Sequence, residues 1–176
     1  CDFNSAGILD KRLVFAYTQH GDKKYRIYVV DEIPFGGGKA EGRSLNYGPD
    51  DVRGQMPAWA ADGRVVYRGC AHHSAKNECE GFGLFIISSD PGPQPTTQLT
   101  EYPEDTAPAV YGNQIAFMSN RDGNWEIYSV RNDASDLRQL TISGSMDGLP
   151  TWSPDGKTIA FVSNRDGAWA VWAMNP

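Results

Sequence analysis

One string occurs twice in this chain, and it constrains the fold more than any other feature. Residues 114–132, QIAFMSNRDGNWEIYSVRN, and residues 158–176, TIAFVSNRDGAWAVWAMNP, are identical at nine of nineteen positions at an offset of 44. Self-similarity of this kind means one supersecondary unit used more than once. Within the unit, short apolar runs alternate with turn signals, Ser153-Pro154-Asp155-Gly156 and Asn164-Arg165-Asp166-Gly167. Asp-Gly favours tight hairpins because Gly takes φ > 0 without steric cost and Asp can hydrogen-bond its own backbone. Pro150 to Met174 therefore reads as a three-stranded antiparallel meander.

Weaker copies lie upstream. The aromatic residue of the second run recurs as Phe15, Tyr67, Phe117 and Phe161, each preceded two residues earlier by Leu13, Val65, Ile115 or Ile159. In the third run the large residues are Tyr28, Phe85, Tyr128 and Trp172, followed two residues later by Val30, Ile87, Val130 and Met174. A spacing of two puts each pair on one face of a strand. The intervening Ile27, Leu84, Ile127 and Val171 are apolar as well, so these strands are expected to be buried on both faces, between neighbouring sheets. A first run precedes three units as Pro57-Ala58-Trp59, Pro108-Ala109-Val110 and Pro150-Thr151-Trp152. A fourth follows three of them as Ser44-Leu45-Asn46, Gln98-Leu99-Thr100 and Gln139-Leu140-Thr141. Each unit is thus four short strands, a to d. Nineteen Gly, eleven Pro and 11% aromatic residues suit such a turn-rich, strand-rich chain. Four-stranded units of about 40–50 residues are the signature of propeller blades, which bury their faces by stacking around an axis. The expected fold is an all-β propeller of four-stranded antiparallel blades. Four blades span about 11–47, 55–100, 106–141 and 149–176 of a single domain or fragment covering 1–176.

The strings PTWSPDGKTIAFVSNRDG and QIAFMSNRDGNWEIYSV resemble the TolB-type, WD-like β-propeller repeat. That repeat runs Pro-x-Trp-Ser-Pro-Asp-Gly-Lys-x-Ile-Ala-Phe, then Ser-x-Arg-Asp-Gly, x-Ile-Tyr and Leu-Thr. The fourth unit matches best. The third departs at Tyr111-Gly112-Asn113, which replaces the Ser-Pro-Asp-Gly turn. The second keeps Pro57-Ala58-Trp59 and Asp62-Gly63 but lacks Arg-Asp-Gly, and the first is most divergent. The resemblance implies a propeller and a non-catalytic scaffold in the periplasm or otherwise outside the cytoplasm, one that binds protein or peptide. Similar propellers also gate prolyl-oligopeptidase-like peptidases, which would place any catalytic serine outside these residues. A third reading is a polysaccharide-acting propeller with a metal in its channel, since similar repeats occur in oligogalacturonate lyases.

The unit count leaves two closures open. Residues 5–10 could complete the fourth unit and close the ring, removing two open sheet edges. Otherwise the chain is a slice of a larger propeller, or half of an eight-bladed ring formed by a homodimer. The chain does not begin with Met, so it is expected to be processed or excised from a longer protein. An N-terminal Cys1 is what a processed lipoprotein would show, and a lipid there is the one membrane attachment expected. No apolar run reaches the length of a transmembrane helix. A net charge of −6 argues against nucleic acid, which wants a basic face.

Chain reversal at each turn puts the b-to-c and d-to-a connections on one face of the ring. That face carries acidic residues at Asp50-Asp51, Glu101, Glu104-Asp105 and Asp147. Loops on one rigid face are where a binding surface sits. The Arg121-Asp122-Gly123 and Arg165-Asp166-Gly167 turns recur from unit to unit, which marks them as folding devices, because a site is unique. The irregular connection is 71–81, AHHSAKNECEG, eleven residues where the other units use five. Cys70 immediately precedes it and Cys79 lies within it, and the two would form a disulfide, which implies an oxidising compartment. Zinc ligation by Cys and His, or free thiols, are the other readings, although adjacent His72 and His73 point apart in extended backbone. His72, His73, Lys76 and Glu78 are the candidate partner-binding residues. There is no Gly-x-Ser-x-Gly elbow, no His-Glu-x-x-His and no phosphate-cradling loop. The chain is read as no enzyme, with no catalytic or metal residue and no cofactor.

Overall fold

Period-2 apolar runs punctuated by Asp-Gly turns fold as antiparallel sheets. The computed structural model describes residues 2–10, 12–18, 25–32, 41–45, 54–73 and 79–176. They form four separate sheets, each with its strands in chain order. Blade 1 is β1 (Asp2–Leu9), β2 (Arg12–Thr18), β3 (Arg26–Val30) and β4 (Arg43–Ser44). Blade 2 is β5 (Gln55–Trp59), β6 (Arg64–His73), β7 (Cys79–Ser88) and β8 (Thr96–Gln98). Blade 3 is β9 (Thr106–Tyr111), β10 (Gln114–Ser119), β11 (Glu126–Arg131) and β12 (Arg138–Gln139). Blade 4 holds β13 (Asp147–Trp152), β14 (Ile159–Ser163) and β15 (Ala170–Met174). The first strands of the blades neighbour one another in series, β1 on β5, β5 on β9 and β9 on β13, as blades stacked about an axis require.

The stacking rule is read from two apolar clusters. In the first, Val14, Ala16, Ile27, Val29 and Leu45 of blade 1 pack on Val65, Tyr67, Phe85 and Ile87 of blade 2. In the second, Val66, Leu84, Ile86 and Leu99 of blade 2 pack on Ile115, Phe117, Tyr128 and Val130 of blade 3. Each blade thus offers an aliphatic face forward and receives the aromatic face of its successor. The aromatic pairs are cross-strand partners, Tyr67 with Phe85 and Phe117 with Tyr128, stacked with ring centroids 5.9 Å apart. Tyr67 and Phe117 are fully buried, and burial of such a side chain is worth about 1.5–3 kcal/mol.

Two expectations are corrected. Residues 5–10 do not complete blade 4. Residues 2–9 are the first strand of blade 1, with Ile8 opposite Leu13 and Leu9 opposite Arg12. A two-residue hairpin connection costs far less loop-closure entropy than delivering the same segment to the far sheet. Burial on both faces also fails at the third strand of blade 4. Ile27, Leu84 and Ile127 are fully buried, whereas their equivalent Val171 is 76% exposed. Among the described residues no blade covers that face and no strand pairs with the outer edge of β15.

The axial strands share a further device. Met56, Ala107 and Leu149 each take a left-handed conformation, φ 50, 51 and 52°, directly before Pro57, Pro108 and Pro150. At each one the axial strand carries one extra residue against its neighbour, a β-bulge. The three Xaa-Pro pairs together line an apolar depression of about 240 Å³.

Candidate functional site

The b-to-c and d-to-a connections do share one face, but its most conspicuous charges point inward. Arg121 follows the b strand of blade 3. Its Nη2 donates to both carboxylate oxygens of Asp105, at 2.8 and 2.6 Å, and its Nε donates to Ser119 Oγ at 3.2 Å. The guanidinium lies over the Tyr128 ring, 4.9 Å from its centroid. Arg165 repeats the arrangement in blade 4. Its Nη2 donates to Asp147 at 2.7 Å, its Nε to Ser163 Oγ at 3.1 Å, and it lies 4.8 Å from the Trp172 ring centroid. Asp105 and Asp147 are fully buried. Each clasp therefore ties a b-to-c turn to the start of the axial strand in its own blade. The expectation that Asp105 and Asp147 contribute acidic charge to a binding face is overturned, because a carboxylate drawn out of water must be paired. Glu101 and Glu104 are exposed, and Asp50-Asp51 lie outside the described residues.

Blade 2 lacks the clasp as a unit. It has no Arg-Asp-Gly turn, and Gly54 stands where Asp105 and Asp147 stand in the later blades. A Cβ at Gly54 would lie 2.5 Å from Ile27 Cγ1, so no aspartate fits there.

Other polar groups on this face are also satisfied internally. Glu126 is buried on β11 and accepts from Asn124 Nδ2 at 2.8 Å, Thr141 Oγ1 at 2.6 Å and the Ser143 N–H at 2.8 Å. Asn124 Nδ2 also donates to the Ser143 and Ser145 carbonyls. This network pins the d-to-a connection of blade 3 to its third strand. The Tyr128 hydroxyl donates to Asp122 Oδ2. Burial first, and then that carboxylate, push the phenol above its ordinary value of 10.0.

The irregular connection is a long hairpin. β6 and β7 have ten residues each, against five to seven for the second and third strands of the other blades. Cys70 and Cys79 are joined by a disulfide with their Cα atoms 5.7 Å apart. A sulfur so bonded is not a thiolate ligand for zinc. Pairing continues past the bridge, with His72 opposite Gly81 and His73 opposite Cys79. His72 and His73 thus end β6, while Lys76 and Glu78 lie outside the described residues. The hairpin is braced near its base by Arg68, whose guanidinium lies 3.9 Å from the Phe82 ring centroid and donates to the Pro103 carbonyl at 3.0 Å. No three His, Cys, Asp or Glu side chains converge in a ligand set among the described residues.

The apolar axial depression was not legible in advance. Met56, Ala107 and Leu149 are dissimilar residues, and only their shared place before a proline marks them. The Asp–Arg clasps did leave a signal. Asp105 and Asp147 recur at an offset of 42, close to the 44 that separates Arg121 from Arg165.

Comparison with known proteins agrees with this geometry. The sequence profile of PD40, the TolB beta propeller domain, matches residues 95–176. A protein TolB homolog of Chlorobium luteolum is 50% identical over 48 residues, which is 27% of this chain and 11% of that protein. Among solved structures, TolB from Acinetobacter baumannii superposes with a TM-score of 0.72 at 19% identity, covering 96% of this chain and 40% of that one. A puromycin hydrolase superposes at 0.65 with 20% identity, covering 94% of this chain and 27% of that enzyme. The chain therefore spans well under half the length of these relatives. Residues 95–176 match the model of the TolB beta propeller domain, and four-stranded sheets of the same fold run through the rest of the described chain.

Proposed function

We propose that this propeller is a non-catalytic scaffold working outside the cytoplasm, binding protein or peptide across the face of its b-to-c and d-to-a connections. The observation that carries the reading is the β6–β7 hairpin, the one long, disulfide-stapled departure from the repeat among the described connections of that face. A stapled hairpin meets a partner with little ordering cost. The disulfide suits an oxidising compartment, as does the likeness to TolB proteins. The paired charges nearby support a scaffold rather than a catalyst, because Asp105, Asp147, Glu126 and both arginines are engaged in holding turns.

The test compares the intact chain with a variant in which 74–78 are replaced by Asn-Gly. Both are immobilised and exposed to an envelope extract, and retained proteins are identified by mass spectrometry. A partner held by the intact chain and lost by the shortened hairpin is expected, with the unfolding midpoint unchanged. Identical retention by both would refute the assignment. A second reading, a gating propeller of a prolyl-oligopeptidase-like peptidase, is favoured by the fold shared with puromycin hydrolase. It predicts that the propeller binds a hydrolase domain edge-on and that hairpin shortening alters substrate size selection.

A further inference from the structure

The boundary between blades 2 and 3 opens as a groove of about 540 Å³, within the range of about 300–1,000 Å³ that small-molecule sites occupy. Both walls belong to complete four-stranded blades. One wall is the end of β8 and the connection after it, Gln98 to Tyr102. The other is Arg121 from the β10–β11 connection, with Ala134 and Leu137 from the β11–β12 connection. Arg121 is fixed on Asp105 and Ser119 through Nη2 and Nε, which leaves its Nη1 without a partner among the described residues. The half-buried Tyr102 ring lies 5.5 Å from that guanidinium, and the Tyr102 carbonyl accepts from the Asp105 N–H at 3.1 Å, so the ring is tied to the same clasp. Gln98 Nε2 donates to the Thr100 carbonyl at 3.1 Å, which leaves Oε1 as a spare acceptor. The exposed Glu101 carboxylate and the Tyr102 hydroxyl have no partner among the described residues either. On the opposite wall Leu137 is 49% exposed. Ala134 there is left-handed at φ 66°, a conformation unfavourable for a residue with a Cβ, and its N–H donates to the Arg131 carbonyl at 2.9 Å.

The polar end of this groove departs from the repeat. Gln98-Leu99-Thr100 recurs as Gln139-Leu140-Thr141, but Glu101-Tyr102 becomes Ile142-Ser143. The strand ending is a folding device, whereas the acid and the aromatic ring occur in one connection and not in the next. Their chemistry selects the ligand. An anion entering the groove meets Glu101, and a cation meets Arg121. A hydroxyl group both donates and accepts, so a polyhydroxylated ligand satisfies the guanidinium, the carboxylate and the amide oxygen together. Tyr102 and Leu137 meanwhile offer apolar surface to the C–H face of a pyranose ring. We propose that the groove between blades 2 and 3 binds a neutral oligosaccharide, its ring packed on Tyr102 and its hydroxyls shared among Arg121 Nη1, Glu101 and Gln98. This site does not depend on the β6–β7 hairpin or on a protein partner.

The probes are three neutral trisaccharides, cellotriose, maltotriose and the trimer of N-acetylglucosamine, titrated singly into the whole 176-residue chain labelled with ¹⁵N. Trigalacturonate and the trimer of glucosamine are the anionic and cationic comparisons. Saturable binding of at least one neutral trimer is expected, with amide shifts centred on 98–102 and 134–137, and both charged trimers should bind more weakly. Glu101→Ile with Tyr102→Ser installs the pair that the next connection carries, and it should bind the neutral trimer about tenfold more weakly. Leu137→Arg, on the opposite wall, narrows the groove from an exposed position and should weaken binding likewise. Should the double variant fail to fold, Leu137→Arg and the shift map of the native chain decide. No saturation by any neutral trimer, tighter binding of a charged one, undiminished binding by the folded variants, or shifts centred elsewhere would overturn the proposal.

Discussion

Removal of Arg121 is the sharpest test of how the repeat is held together. Arg121→Ala strands the carboxylate of Asp105 at zero exposure with its charged donor gone. It also removes the cation from the Tyr128 ring. Breaking a buried pair from one side costs about 3–5 kcal/mol, because the remaining charge is uncompensated. Asp105→Ala should cost less, about 1.5–3 kcal/mol as the loss of a charged hydrogen bond, since Arg121 is 18% exposed and can turn to water. The double variant leaves no orphan and should fall well short of the sum, giving a coupling of about 2–3 kcal/mol. Urea unfolding followed by tryptophan fluorescence measures this. With a slope of roughly 2 kcal/mol/M, Arg121→Ala moves the midpoint down by about 2 M. The second clasp is an internal control. Arg165 is 31% exposed and meets one oxygen of Asp147, whose Oδ1 has no partner among the described residues, so its coupling should be smaller. Additive effects at 105 and 121, or a larger coupling at 147 and 165, would refute the clasp as the device that fixes these turns.

Further outcomes follow from single positions. Gly156→Ala should destabilise far more than Gly167→Ala. Both are left-handed, at a cost of about 1–2 kcal/mol, but only at Gly156 would a Cβ run into a ring, that of Tyr111. Thermal melts of the two variants separate strain from clash. Replacing Cys70 and Cys79 with Ala removes a bridge of sequence separation 9 and should cost about 2–3 kcal/mol in the chain-entropy picture, read as an unfolding-midpoint shift equal to that caused by reductant. The raised Tyr128 phenol keeps its proton in the fold while the unfolded chain loses it above about pH 10. Its contribution is therefore full below that pH and is lost above it, and Tyr128→Phe should flatten the alkaline fall in stability.

Much of the fold was legible in residue pattern alone. The aromatic positions Tyr67, Phe85, Phe117 and Tyr128 are core because their period-2 spacing leaves them no other face, and they pack as that spacing demands. The site was less legible, for a reason visible at Asp105. In sequence it lies beside Glu104 in a polar connection and looks like solvated charge. Its partner, sixteen residues away, folds back over the same strand and draws it out of water. The β6–β7 hairpin was marked by its broken length, but its register and the bridging of Cys70 to Cys79 depend on strand pairing that no local string specifies.

The sequence by itself determined the blade, because a repeated pattern of turns and alternating apolar residues has one economical antiparallel solution. The tertiary structure alone decided which blade each segment joins and which faces remain uncovered. Residues 2–9 went to blade 1 because a short hairpin closes at little entropic cost. Val171 stayed exposed while its three equivalents are buried, because burial belongs to the neighbour a strand receives rather than to the residue.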